Sequence, residues 1–323
     1  GMGGSSLAPE VFSNLFGGQT DGMPRLAVLD STVPGEVLDQ AGRLDPACTL
    51  FIVATKSGGT AETLSFFKYF YNWTADALGS DLAGERFIAI TDAGSKLDEL
   101  ATRHKFRATF LNDSNIGGRY SALSFFGLVP AALVGVDVET LLDRALAMAC
   151  NCQTNDCVVY GDNYGAWLGA VLGELAKAGR DKVTFITSPL LANFGDWVEQ
   201  LIAESTGKEG KGILPVVGEP LGPPHLYGED RLFVYLRLDG DGASPDEQDA
   251  AVQALEDAGQ PVVRLRRGDL YDLGGQFFLW EMATGVAGYR LGGNPVDQPN
   301  GEAATVLARV AMAASSEPGS LPS

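Results

Sequence analysis

Five consecutive apolar residues, Leu50-Phe51-Ile52-Val53-Ala54, run directly into Thr55-Lys56-Ser57-Gly58-Gly59-Thr60-Ala61-Glu62-Thr63. An apolar run of that length, bounded by glycines, reads as a buried strand, and Thr60 reads as the opening of a helix over 60–78. A strand that turns straight into a helix is the building unit of a parallel sheet covered by helices. The same stretch also limits the chemistry. Backbone N–H groups at a helix start lack partners, and the helix dipole adds to them, so a phosphate is favoured there. Thr55, Ser57 and Thr60 can add hydroxyl donors and Lys56 a charge. Each hydrogen bond to an ionised group contributes about 1.5–3 kcal/mol, so a few would hold a phosphomonoester. An ordinary strand–helix turn uses the same glycines and caps, so this stretch alone leaves both readings open.

The alternation continues on either side. Strands are expected at 25–30, 86–91 and 106–111, with helices at 34–44 and 95–103. Asn115-Ile116-Gly117-Gly118-Arg119-Tyr120-Ser121 then opens an apolar helix to about residue 134, and a further helix covers 137–152. An arginine at the mouth of a buried helix is costly unless it is paired or faces a ligand. Residues 153–157 read as a domain boundary. Beyond it the pattern predicts helices at 164–178, 195–204, 245–258 and 274–291, and strands at 183–187, 213–217, 232–238 and 262–265. The fold class is α/β, with parallel sheets that carry helices on both faces. At the start, Gly1-Met2-Gly3-Gly4-Ser5-Ser6-Leu7 is a glycine-rich turn entering a helix, with Ser6 as its N-cap. Such a loop normally follows a strand, and the expectation is that this first strand lies upstream of residue 1.

A net charge of −18 over 323 residues excludes the basic footprint of non-specific nucleic-acid binding. An anionic ligand must therefore be held by local cations and N–H groups. No apolar run reaches the ~18 residues of a membrane span, and no signal-peptide pattern opens the chain. Four cysteines do not make a disulfide framework in a chain this long, which points to a reducing cytoplasm. Cys150-x-Cys152-x4-Cys157 has no matching histidine pair, so no metal site is expected. Only His104 and His225 offer an imidazole.

The opening glycine loop, Thr55-Lys56-Ser57-Gly58-Gly59-Thr60, Ile116-Gly117-Gly118-Arg119-Tyr120-Ser121 and Glu204-Ser205-Thr206-Gly207-Lys208 occur in that order. With Asn294-Pro295-Val296-Asp297-Gln298-Pro299, these motifs resemble the glucose-6-phosphate isomerase family. Gly218-Glu219-Pro220-Leu221-Gly222 and the strand from Asp230 are similar to the isomerase half of bifunctional transaldolase–isomerases. The resemblance implies two three-layer sugar isomerase domains, 1–152 and 158–293, followed by a last helix and mobile tail, 294–323. It implies interconversion of glucose 6-phosphate and fructose 6-phosphate through a cis-enediol, without cofactor or metal. Carried over residue by residue, Glu204 becomes the base, Arg119 the group facing the developing negative charge, and His225 the ring-opening candidate. Ser5, Thr55, Lys56, Ser57 and Thr60 would hold the phosphate, and Gly4, Gly118, Gln200 and Gln298 the sugar. Lys208 is expected to shape the turn rather than react. A homodimer and an upstream transaldolase domain are further implications. The surroundings of His225 depart from the family pattern, and Thr305 stands where the family carries a lysine. Those departures keep two other readings in view: a sugar-phosphate-binding module with weak or no turnover, and a structural partner of a transaldolase domain.

Overall fold

The structure is a computed structural model and describes residues 1–17, 22–153, 163–239, 245–297, 306–307 and 310. Strand β1 (Phe51–Ala54) is the first of a parallel sheet ordered β1-β2-β3, with β2 (Phe87–Asp92) and β3 (Ala108–Asn112). Phe51 lies opposite Phe87, and Ile88 opposite Ala108. β2 is central and buried along almost its whole length, which is why it reads as a continuous apolar run rather than an alternation. On one face Phe51 stacks on Phe87 at 4.8 Å, beside Phe67 and Phe70 of the following helix. On the other face Ala54 and Ile90 pack against Phe126.

The helices of this half are α1 (Gly4–Phe16), α2 (Pro34–Arg43), α3 (Ala61–Leu78), α4 (Ser80–Ala83), α5 (Lys96–Arg103), α6 (Phe125–Leu133) and α7 (Val138–Gln153). A second parallel sheet is ordered β5-β4-β6-β7, from β4 (Lys182–Thr187), β5 (Leu214–Val216), β6 (Arg231–Leu238) and β7 (Val262–Arg267). Its helices are α8 (Tyr164–Lys177), α9 (Ala192–Thr206), α10 (Pro245–Asp257) and α11 (Asp272–Arg290). Ile186, Phe233 and Tyr235 cover one face with Val252 and Leu255 of α10. Phe185 and Val234 cover the other with α9 and α11. That second cluster runs into the first half: Phe12 of α1 lies 5.4 Å from Phe277, whose ring meets Trp197 edge-on at 4.6 Å. α1 and α9 are thus held side by side by one shared core, and both carry site residues. None of the described helices is long and apolar enough to cross a membrane.

Three expectations need correction. Residues 25–30 run without secondary structure and join no sheet. A cavity of about 190 Å³, lined by Leu26, Ala27 and Val28 on one side and Phe51, Ile52 and Val53 on the other, separates them from β1. Ladder bonds need strands about 4.8 Å apart, so no pairing forms across it. Ser6 is not an N-cap: α1 starts at Gly4 after Gly3, and the Ser6 hydroxyl donates to the Gly3 carbonyl at 2.9 Å. The segment after Asn115 is not one helix. A 3₁₀ turn, Gly118–Tyr120, comes first, and α6 begins only after Ser124, whose hydroxyl accepts the Phe126 N–H at 3.3 Å. The expected boundary at 153–157 begins at the last residue of α7, and 154–162 lie outside the described residues.

Candidate active site

Thr55 follows β1 at the carboxyl edge of the first sheet, and its N–H donates to Ile90 at 3.1 Å. Five residues later Thr60 sits at the N-cap of α3 but makes no side-chain cap bond. Its hydroxyl instead lies 3.0 Å from that of Thr55, tying the two ends of the loop together. The first N–H groups of α3 are thereby left without a side-chain cap, which is the condition for anion binding at a helix start. Lys56 is engaged elsewhere: its ammonium donates to Asp92 at 2.6 Å and to the Ser114 carbonyl at 2.5 Å. Ser57 is exposed, and its hydroxyl accepts the Gly59 N–H.

The opening loop closes over this cradle. Ser5 Oγ accepts the Met2 N–H at 3.0 Å and donates to the Met2 carbonyl at 2.9 Å. Gly4 fits because it lacks a side chain: a Cβ there would come within 2.0 Å of the Gly118 carbonyl. That close approach presses the loop at 117–121 against the first loop and brings Arg119 to the pocket. Arg119 is 1% exposed. Its Nε donates to Ser205 Oγ at 2.7 Å, and its Nη2 to the carbonyls of Pro295 and, at 3.1 Å, Asp297. Nη1 lies 3.6 Å from Glu204 Oε2.

Glu204 and Gln200 project from one face of α9, four residues apart. The Gln200 amide donates to Glu204 Oε1 at 3.0 Å, and the Glu204 side chain is 43% exposed. Two buried polar atoms on pocket residues, Gln200 Oε1 and Thr63 Oγ1, have no hydrogen-bond partner among the described residues. Burial lifts the Tyr120 phenol above its ordinary range, so it stays protonated beside Arg119.

The result is a pocket of about 260 Å³. Of the residues singled out from the sequence, Gly4, Ser5, Thr55, Lys56, Thr60, Gly118, Arg119, Gln200 and Glu204 line it. Ser57 does not. His225 lies exposed on the turn Pro224–Leu226 and is not among the lining residues, so the structure does not join it to Glu204 and Arg119. Gln298 and Thr305 lie outside the described residues. Lys208 shapes the turn as expected: it bridges to Lys211, and its ammonium holds the Asn294 carbonyl and the Asp297 carboxylate. Sequence reasoning missed Ser205, Thr63 and the carbonyls of Pro295 and Asp297. Ser205 lay inside a quoted motif, but a carbonyl that receives an arginine carries no side-chain signal. Among the described residues no group of His, Cys, Asp or Glu is arranged to hold a metal ion.

Residues 1–212 match the family described as phosphoglucose isomerase. A glucose-6-phosphate isomerase of Rubrobacter xylanophilus is 32% identical, the match covering 99% of this chain and 82% of that protein. One from Parabacteroides distasonis is 31% identical, covering 77% of this chain and 63% of its own length. The crystal structure of a glucose-6-phosphate isomerase from Chlamydia trachomatis D/UW-3/Cx superposes with a TM-score of 0.77 at 22% identity, covering 98% of this chain and 69% of that one. The fold expected from the sequence, α/β sugar isomerase units with parallel sheets, therefore holds. With a family match over more than half of its length and curated relatives that are glucose-6-phosphate isomerases, the chain belongs to the phosphoglucose isomerase family.

Proposed function

We infer that this pocket interconverts glucose 6-phosphate and fructose 6-phosphate, with Glu204 as the base that carries the proton between C2 and C1. The observation that carries this reading is the pairing of Glu204 Oε2 with Arg119 Nη1 at 3.6 Å, inside a pocket that also holds the α3 cradle. The phosphate takes the N–H groups at the start of α3 and the hydroxyls of Ser5, Thr55 and Thr60. That sets the far end of the open-chain sugar against Glu204. The carboxylate removes the C2 proton of the aldose, and the C–H electron pair forms the C1–C2 double bond. The carbonyl pair moves onto O1, giving an enediolate. Arg119 faces that oxygen with a permanent charge in a planar fork. The O2 proton passes to O1, and return of the carried proton to C1, as the O2 pair forms the C2 carbonyl, yields the ketose. Gln200, hydrogen-bonded to Glu204, orients the carboxylate.

The same reading takes residues 1–152 and 158–293 as the two sugar isomerase domains and a reducing cytoplasm as the setting. A homodimer and an upstream transaldolase domain complete it, and the mass of the natural protein in solution tests both. A binding module without turnover is not favoured, because the named relatives are enzymes. The deciding experiment is a coupled assay in which fructose 6-phosphate conversion by the purified chain is read as NADPH from glucose-6-phosphate dehydrogenase. Conversion that disappears in Glu204→Gln supports the assignment, and conversion that survives it removes Glu204.

A further inference from the structure

We propose that Ser205 is a positioning residue for Arg119, fixing the guanidinium so that Nη1 is the nitrogen turned to the pocket. The inference rests on the reading of Arg119 as the group facing the enediolate, and extends it to a residue that does not line the pocket.

Donor counting fixes the direction of every bond. A guanidinium has only donors, so Ser205 Oγ must accept from Nε at 2.7 Å. Because Tyr120 gives its one proton to the Pro295 carbonyl, the serine's proton goes to the Tyr120 hydroxyl at 3.0 Å. That carbonyl, 3.4 Å from the Tyr120 oxygen, also accepts from Arg119 Nη2. The four groups Arg119, Ser205, Tyr120 and Pro295 close a ring of hydrogen bonds. Asp297 adds a second carbonyl at Nη2, and Lys208 pins that segment through Asn294 and the Asp297 carboxylate.

The ordinary alternative is a helical serine that satisfies itself on the carbonyl four residues back. Its neighbour Thr206 does so, donating to Ile202 at 2.8 Å. Ser205, 1% exposed, makes its bonds sideways to Arg119 and Tyr120 instead. Among the described residues, the groups that accept from Nε and Nη2 are neutral dipoles, so these bonds orient the guanidinium without cancelling its charge. Among the described residues Nη1 meets Glu204 at 3.6 Å, an ion-pair distance longer than a hydrogen bond, so that nitrogen can still donate to an oxyanion. Displacing a catalytic group by about 1 Å can cost on the order of 10²-fold in rate, which is the scale of effect at stake.

The test compares kcat and KM with calorimetric affinity for glucose 6-phosphate and for a hydroxamate analogue of the enediolate phosphate. Ser205→Ala should lower kcat by roughly 10–100-fold with KM nearly unchanged, and weaken the analogue by a similar factor. Ser205→Thr, which restores the hydroxyl, should recover most of kcat. Arg119→Ala reports on the underlying reading alone: unchanged analogue affinity in that variant overturns the role of Arg119. If Arg119→Ala weakens the analogue while Ser205→Ala changes neither kcat nor analogue affinity, the positioning role is overturned. If Ser205→Ala loses sugar phosphate and analogue equally, the pocket itself has been disrupted and Tyr120→Phe decides. That change keeps the ring and removes only the hydroxyl: a fall in kcat at constant KM supports the proposal, and an unchanged kcat sinks it.

Discussion

At the cradle, the nearest cation, Lys56, meets a carboxylate at 2.6 Å, while at the Glu204 end Arg119 is gripped by a hydroxyl and two peptide carbonyls. Lys56 is hydrogen-bonded to its carboxylate, whereas Arg119 gives its hydrogen bonds to neutral groups and meets the Glu204 carboxylate only at 3.6 Å. The difference follows when each charge on the substrate is present. A phosphate arrives already ionised, and uncapped N–H groups with a helix dipole suffice to hold it. The enediolate charge exists only as the proton moves, and preorganised charge accelerates a step only where it acts more strongly on the transition state than on the substrate. On the proposed reading, binding is built from neutral groups at one end, and the more loosely paired cation serves chemistry at the other.

The largest expected effect lies at the chemistry end. Glu204→Gln keeps the size of the side chain but cannot take the C2 proton. Turnover should fall by about 10²–10⁴-fold, with calorimetric affinity for glucose 6-phosphate nearly kept. A variant that loses affinity and turnover together would erase the contrast between the two ends. Arg119→Lys comes next. A lysine retains the charge but not the fork, so it cannot serve Ser205, Pro295 and Asp297 while also facing the substrate. Losing one preorganised donor at a developing oxyanion typically costs about 10²–10³-fold in kcat, and that is the expected loss. Near-wild-type kcat in Arg119→Lys would mean that charge alone matters there.

The cradle was legible in the sequence because its signal is local: an apolar strand, glycines and a helix start within 14 residues. Glu204 and Gln200 were legible through helical spacing and a motif. The orientation of Arg119 was not, because its partners Ser205 and Pro295 lie 86 and 176 residues away, and one of them acts through its backbone. The ion pair of Lys56 was not legible for a related reason. Its sequence neighbours are hydroxyls and glycines, while Asp92, which takes its charge, is reached only when β1 and β2 pair in parallel. The segment 25–30 has strand composition, but composition cannot supply a partner across a cavity. His225 has the right residue type at an expected distance along the chain and still sits on an exposed turn.

At the binding end, Ser5→Ala should weaken glucose 6-phosphate by about 1.5–3 kcal/mol, the value of a hydrogen bond to an ionised group. That is roughly 10–150-fold in Kd, with kcat at saturation little changed. Unaltered affinity by calorimetry would show that the opening loop shapes the pocket without touching the phosphate.

The smallest effect is expected at Lys56, and it is where the comparison is most exposed to failure. If the ammonium gripped the phosphate, Lys56→Ala would cost as much affinity as Ser5→Ala. Its two observed bonds, to Asp92 and to the Ser114 carbonyl, instead link the ends of β1 and β2 to the loop after β3. The lysine side chain is 34% exposed, so the ion pair belongs to the weaker class, worth about 0–1 kcal/mol. Asp92 is less exposed, and its Oδ1 already lacks a partner among the described residues, so removing the lysine should cost somewhat more than a surface pair. The expected result is a stability loss of about 1 kcal/mol in urea with glucose 6-phosphate affinity changed by less than about threefold. Asp92→Asn provides the converse. Freed from its carboxylate, Lys56 can turn toward the cradle, and phosphate affinity should rise slightly and become more sensitive to salt. A tenfold or greater loss of affinity in Lys56→Ala, with stability intact, would place charge at both ends of the pocket and end the contrast between them.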